Sequence, residues 1–394
     1  MLCFGVAGKG TYWRALELAR GLARDGHSVT VMSTSRTLWR HFARKADRQP
    51  GVTLVETPDF MRGPLRSGWD LYNTLARLHW GRDQHFDLVH AFESRPTVIY
   101  PALAWQRRGA TLIMDWCDWF GKGGSVEERP NPVIRAILRP VETYYEDHFR
   151  TRAAGTTVIS SVLRQRAIEL GVPPDTIFDL PNGSAVDQLK PIPQTEARQA
   201  LNWPLDVPII GYIGAIFERD AILMAQAFDR VVAQEPRARL LLAGYCNIAI
   251  ERRVARPEAV IRTGQLDVAE INQVLAACDL CWLPLSNSGA NRGRFPLKLN
   301  DFIAVGKAVV ATAVGDVSEL VRRGDFGLVC RDDPDDIAQC VVELLRNPER
   351  AAALGRRGRE LAEREFQWPQ IAQRLATFYR TVAQAPETKP NSNA

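Results

Sequence analysis

Pro208-Ile209-Ile210-Gly211-Tyr212-Ile213-Gly214 is a short apolar run closed by a glycine and followed by a helical pattern, which reads as strand, tight turn and helix. The same grammar opens the chain. Leu2 to Val6 runs into Ala7-Gly8-Lys9-Gly10-Thr11, and Tyr12 to Asp25 then carries Trp13, Leu16, Leu18, Ala19, Leu22 and Ala23 at helical spacing. Gly26-His27 stops that helix, and Ser28-Val29-Thr30-Val31-Met32 starts a second strand. Strand-like runs recur at Asp87–Ala91, Ala110–Met114 and Gly155–Ser160. After Pro208 they recur at Ala238–Gly244, Ala259–Gly264, Leu280–Pro284 and Ala308–Thr312. Alternation of strands with helices implies a parallel sheet covered on both faces. Because the pattern restarts after Pro181-Asn182-Gly183 and the polar stretch Lys190–Gln194, two doubly wound, Rossmann-like α/β domains facing across a cleft are expected. Their bounds are predicted at residues 1–185 and 186–366. A helix over 367–383 is predicted to cross back to the first domain, and 384–394 to be a disordered tail.

The composition excludes several classes. With 394 residues, 46% hydrophobic and 24% charged, each half can bury a core of its own without staples. The seven cysteines are scattered through apolar runs and read as reduced core thiols in a cytoplasmic protein; Cys278 and Cys281 lack the second pair or nearby histidines that a zinc site needs. No run of 18 apolar residues suggests a membrane span. The net charge of +5 falls entirely in residues 1–190, where 25 Lys and Arg stand against 20 Asp and Glu. Basic and aromatic residues mix in Trp39–Lys45 and Met61–Arg66, a pattern compatible with peripheral association at an anionic membrane surface, or simply with a solvated face. Nucleic acid is not an expected partner.

The stretch richest in chemistry is Ser286-Asn287-Ser288-Gly289-Ala290-Asn291-Arg292-Gly293-Arg294-Phe295-Pro296-Leu297-Lys298-Leu299-Asn300-Asp301. A small, polar, glycine-bearing loop leads into a helix with Pro296 in its first turn. Amide N–H groups at that helix start, with Arg292, Arg294 and Lys298 around them, suit a diphosphate. Asp301, three residues after Lys298, shares its face and suits ribose hydroxyls. Elsewhere, Asp115–Gly124 crowds aromatic and carboxylate groups at a strand end, where Asp118 could meet a sugar. His90 and Glu93 mark another strand end. Asp332-Asp333-Pro334-Asp335-Asp336 reads as the acidic start of a helix rather than a metal site.

Pro296 to Thr312 resembles the donor-site signature of glycosyltransferase family 4, retaining enzymes of the GT-B fold. The likeness extends to Gly8–Tyr12, Leu16–Leu22, Gly26–Val31, Asp87–His90, Pro181–Gly183 with Val186-Asp187, and Gly315-Asp316 with Glu319–Val321, in order along nearly the whole chain. It implies a metal-independent transferase with no cofactor, its UDP- or GDP-sugar being a co-substrate and its acceptor a carbohydrate or a lipid-linked or envelope polysaccharide. Leaving-group charge would be met by Arg294, Lys298 and Arg219, and His90 and Glu93 would face the sugar. Gly8, Gly10, Thr11, Asp118, Gly214, Gly289, Ala290, Asn291 and Asp301 would line the substrates, with the base near Thr263 and Gly264. Gly293 stands where the family often carries a glutamate, and Phe92 where it often has a second histidine. Two rival readings share the architecture: a nucleotide-sugar 2-epimerase and a catalytically inert nucleotide-sugar-binding protein.

Overall fold

The computed structural model describes residues 1–37, 42–61 and 66–384. Much of the two basic segments singled out above, and the predicted tail from 385 onward, lie outside the described residues. Two sheets organise the chain. The first contains β1 (Leu2–Val6), β2 (Val29–Thr34), β3 (Ala43–Ala46), β4 (Val52–Thr57), β5 (Leu88–Phe92), β6 (Thr111–Trp116), β7 (Gly155–Val158) and β8 (Ile177–Asp179). Their spatial order is β3-β4-β2-β1-β5-β6-β7-β8, parallel except for β3 against β4. The second contains β9 (Ile209–Ile213), β10 (Arg239–Ala243), β11 (Val260–Gly264), β12 (Leu280–Leu283), β13 (Val309–Thr312) and β14 (Gly327–Cys330). Its order is β11-β10-β9-β12-β13-β14, parallel throughout.

Each order runs outward from a first strand in one direction and then in the other, so each sheet has a switch point, between β1 and β5 and between β9 and β12. This is the predicted pair of doubly wound domains, with β3, β4, β8 and β14 added to the strands expected from the sequence. Part of the first basic segment, Ala43–Ala46, forms an antiparallel edge strand, and Lys45 bridges to Glu56 at 3.3 Å. Charged side chains on an edge discourage pairing with another chain.

The Trp368–Gln384 helix returns to the first sheet. It lies so close to the Thr11–Arg24 helix that a Cβ on Gly21 would stand 2.3 Å from Ala372, which is why a glycine interrupts that helix. Phe378 stacks on Phe178 with ring centres 5.1 Å apart, and Trp368 fills the space left by Gly183. The expected boundary at Pro181–Gly183 is a bonded junction. Asn182 accepts from Arg14 at 2.9 Å, donates to the carbonyl of Phe295 at 2.9 Å, and its own carbonyl accepts from Asn300 at 2.6 Å.

Candidate functional site

At the second switch point β9 ends in Gly214, whose φ of +78° turns the chain sharply; a side chain there would meet no neighbour, so this corner is open. The Glu218–Gln234 helix follows, and its first turn supplies Asp220, which is buried. One Asp220 oxygen accepts from the backbone and hydroxyl of Ser286, at 2.8 and 2.7 Å, and from the Asn291 amide at 2.8 Å. The other accepts from Arg294 at 3.1 Å, and the Arg294 guanidinium lies 4.2 Å over the Phe217 ring. Asp220 thus fixes the strand end after β12 and aims an arginine. The sequence reading missed it because nothing local distinguishes it from any acidic helix start.

Lys298, in the first turn of the Leu297–Ala304 helix, donates to the Tyr212 hydroxyl at 2.5 Å and to the Ala215 carbonyl at 2.8 Å. Pro296 caps this helix rather than opening it. Removal from water lowers the Lys298 ammonium to about 7, Arg294 pushing the same way and Asp220 opposing. Burial likewise lifts the Asp301 carboxyl to about 7, against the pull of Lys298. Two cations therefore converge at a helix start beside an open glycine corner, an arrangement suited to anionic oxygens. At the neighbouring strand ends, Thr263 accepts from the Gly244 amide at 3.1 Å, and Gly264, at φ +73°, has open space around it.

Several expectations need correcting. Gly289–Gly293 is a short helix capped by Ser288 rather than a loop, with Ala290 and Asn291 buried. The Asn291 side chain is turned inward onto Asp220 and Ser286, so it supports the site instead of lining it. Arg219 leans across the cleft to Glu128, 3.3 Å away in the first domain. At Gly293 a Cβ would stand 2.8 Å from Trp119 Cβ, and at Gly289 only 1.8 Å from the Gly123 carbonyl. The 119–124 loop of the first domain therefore occupies the place a glutamate at 293 would need. Ser160 donates to the Gly293 carbonyl at 2.9 Å and Ser161 to Asp316 at 2.5 and 2.7 Å, closing the cleft along this seam.

At the first switch point the polar groups predicted to face a sugar are engaged inside the domain. His90 is fully buried, its ring nitrogens 2.6 Å from the Tyr379 hydroxyl and 3.1 Å from Thr157, and burial drops its pKa to about 3. It ties the returning helix to the sheet, which corrects its assignment as a sugar contact. Glu93 is also corrected. At φ +74° and 1% exposed, it accepts from the amides of Cys117 and Asp118 at 3.0 and 3.3 Å and from Arg150 at 3.4 Å, holding the loop that bears Asp118. Burial raises Glu93 to about 7. Asp118 itself is half-buried, raised to about 6 by burial while Arg294 across the cleft and Arg95 pull it down. Gly8, at φ +80°, is covered by Arg36, whose Nε donates to the Ala7 carbonyl at 3.0 Å. Gly10 is open, and the buried Thr11 hydroxyl has no partner. Cys278 and Cys281 pack against Gly211 in the second core, and Asp333 caps the helix it was predicted to start.

Two facing doubly wound domains, with a cation pair at one switch point, define the class of two-domain α/β enzymes that work across a cleft. Residues 9–183 match the family profile described as "Glycosyl transferase 4-like domain" and residues 207–347 the profile "Glycosyl transferases group 1". The chain is 29% identical over 269 residues to a D-inositol 3-phosphate glycosyltransferase from Thermobispora bispora, covering 64% of this chain and 60%, under two thirds, of that one. It is 24% identical over 411 aligned positions to the phosphatidyl-myo-inositol mannosyltransferase of Mycobacterium tuberculosis, covering 97% and 96%. Among solved structures, sucrose-phosphate synthase from Thermosynechococcus elongatus superposes with a TM-score of 0.75 at 21% identity over 97% of this chain and 96% of that one, a likeness of fold. The chain belongs to glycosyltransferase family 4, with the GT-B fold, and is a glycosyltransferase.

Proposed function

We propose that the chain transfers a sugar, with retention, from a UDP- or GDP-linked donor whose diphosphate lies between Gly214 and the start of the Leu297–Ala304 helix. The observation that carries this reading is the convergence of Arg294, fixed by Asp220, and Lys298, fixed by Tyr212 and Ala215, on that corner. Departure of the nucleotide diphosphate builds negative charge on the leaving phosphate, and cations already held in place stabilise it without reorganising. Asp301 meets the ribose, and Thr263 and Gly264 lie near the base. Asp118 is the carboxylate best positioned to face the sugar. In this division of labour residues 1–185 present the acceptor and residues 186–366 hold the donor. Neither metal nor cofactor enters the chemistry.

Among the described residues no helix is long and apolar enough to cross a membrane. The name of one relative includes a lipid, phosphatidyl-myo-inositol. The reading is therefore of a cytoplasmic enzyme that associates peripherally with the membrane and glycosylates a lipid-linked or envelope-polysaccharide acceptor. A panel of UDP- and GDP-sugars tests it through donor turnover, including slow hydrolysis without acceptor. Lys298→Ala is expected to lower turnover by about a hundredfold or more, as loss of an oxyanion donor does. Unchanged turnover in that variant defeats the reading, and interconversion of C2-epimers without acceptor would assign an epimerase instead.

A further inference from the structure

The Pro132–His148 helix is two things in sequence. Its second half is built inward. Glu146 accepts from the Trp116 indole at 3.0 Å and from the amides of Phe120 and Gly121 at 2.8 and 2.7 Å, while Thr143 accepts from the Lys122 amide at 2.8 Å. Glu142 takes Arg129 at 2.7 Å. These bonds hold the loop that carries Asp118 and Trp119 at the cleft. The first half is built outward: every residue from Pro132 to Val141 is exposed except Arg135 and Leu138, which are half-buried. Pro140 marks the division, because it lacks the N–H that would bond the Ala136 carbonyl.

The exposed half carries the wrong residues for water. Val133, Ile134, Ile137 and Val141 are all exposed, Val133 by 65% and Ile137 by 62%, and the row continues past the division to the exposed Tyr144. Single exposed apolar side chains are ordinary, but a row along one helix face marks an interaction surface. Between Glu128 and Glu142 the chain carries Arg129, Arg135 and Arg139 and no carboxylate, and Arg129 pairs with Glu142 at 2.7 Å. Arg139 also reaches Glu127 at 2.9 Å. The apolar surface continues sideways. Trp69 packs edge-on against Tyr145, 5.1 Å between ring centres, and the adjoining Leu71–Trp80 helix exposes Leu71, Tyr72 and Leu75.

We propose that the outward half of the Pro132–His148 helix lies in the surface of an anionic phospholipid bilayer, its aliphatic side chains among the acyl chains and its arginines on lipid phosphates. An apolar face flanked by three arginines, against the two carboxylates Glu127 and Glu142 that they meet, is the composition such a helix needs. A second copy of the chain is the poorer occupant, because a two-fold pairing brings the same arginines together. The proposal rests on the reading of a membrane-associated transferase and sharpens it. The docked half and the half that holds the 116–122 loop are one helix, so the lipid surface delivers an acceptor headgroup beside Asp118.

Flotation with phosphatidylcholine vesicles, with and without phosphatidylglycerol, tests this on the full chain. The wild type is expected to float with the anionic vesicles, and Ile134→Glu with Ile137→Glu to lose binding by on the order of tenfold or more. Arg135→Ser with Arg139→Ser is expected to lose about fivefold per arginine, with the loss shrinking at high salt. UDP or GDP binding is expected to stay at wild-type strength in both variants. Because that readout is independent, failure of nucleotide binding in the wild type strikes the transferase reading and leaves the docking result to stand or fall alone. A wild type that stays at the bottom of the gradient, or isoleucine variants that float as it does, overturns the proposal. So does concentration-dependent dimerisation in sedimentation that the isoleucine variants abolish, which gives the face to a second copy.

Discussion

The two switch points are built on the same core strand order but dispose their charged groups differently. At the second, between β9 and β12, the glycine corner is open and two cations face it, each fixed from behind by Asp220 or Tyr212. At the first, between β1 and β5, charged groups are just as numerous but are consumed internally: Glu93 on loop amides, and Arg95 on Glu142 and the Ser67 carbonyl. Arg95 also lies against the faces of Phe4 and Phe120, at 4.7 and 4.4 Å. The first domain thus spends its polar groups on shaping the loop that closes over the second. A fold alone does not mark a site; the availability of its charges does.

The contrast can be broken most severely at Asp220. Asp220→Ala frees Arg294 and leaves the Ser286 and Asn291 donors unpaired, so a loss of about 3 kcal/mol of stability is expected in urea unfolding, together with loss of nucleotide binding. The seam between the domains comes next. Gly293→Glu forces a side chain into Trp119, with an expected cost of about 1–3 kcal/mol or an opening of the cleft visible in small-angle scattering; Trp119→Ala in the same chain is expected to restore closure.

A pH series separates the two crevices further. In the free protein Lys298 and Asp301 are both placed at about 7. A bound diphosphate favours the charged lysine, so its binding takes up a proton at Lys298. Affinity is then expected to be greatest below pH 7 and to fall as pH rises above it, by about tenfold per unit at the steepest, where calorimetry can follow it. The smallest effect belongs to Arg219, whose side chain is 60% exposed in its pair with Glu128. Arg219→Ala is expected to change stability by less than about 1 kcal/mol, read as a near-constant Tm.

The alternation of strands and helices, the two glycine turns and the basic residues at 294 and 298 were legible in the sequence because they are local: a run, a turn and a helix start within a few residues. Asp220 was not, since its role is made by Ser286, Asn291 and Arg294, which are 66 to 74 positions away. Trp119 over Gly293 was hidden for the same reason, although the glycine itself was conspicuous. His90 and Glu93 misled because a polar residue near the end of a strand looks the same whether it faces a cleft or a packed helix. For His90 the partner that decided it, Tyr379, comes from the far end of the chain.

The most direct measurement is calorimetric titration of UDP and GDP into the wild type, Lys298→Ala and Glu93→Gln. One of the two nucleotides is expected to bind the wild type and Glu93→Gln with similar affinity, and to lose at least about a hundredfold in Lys298→Ala. Equal binding by Lys298→Ala and wild type, or loss confined to Glu93→Gln, contradicts a diphosphate site at the second switch point.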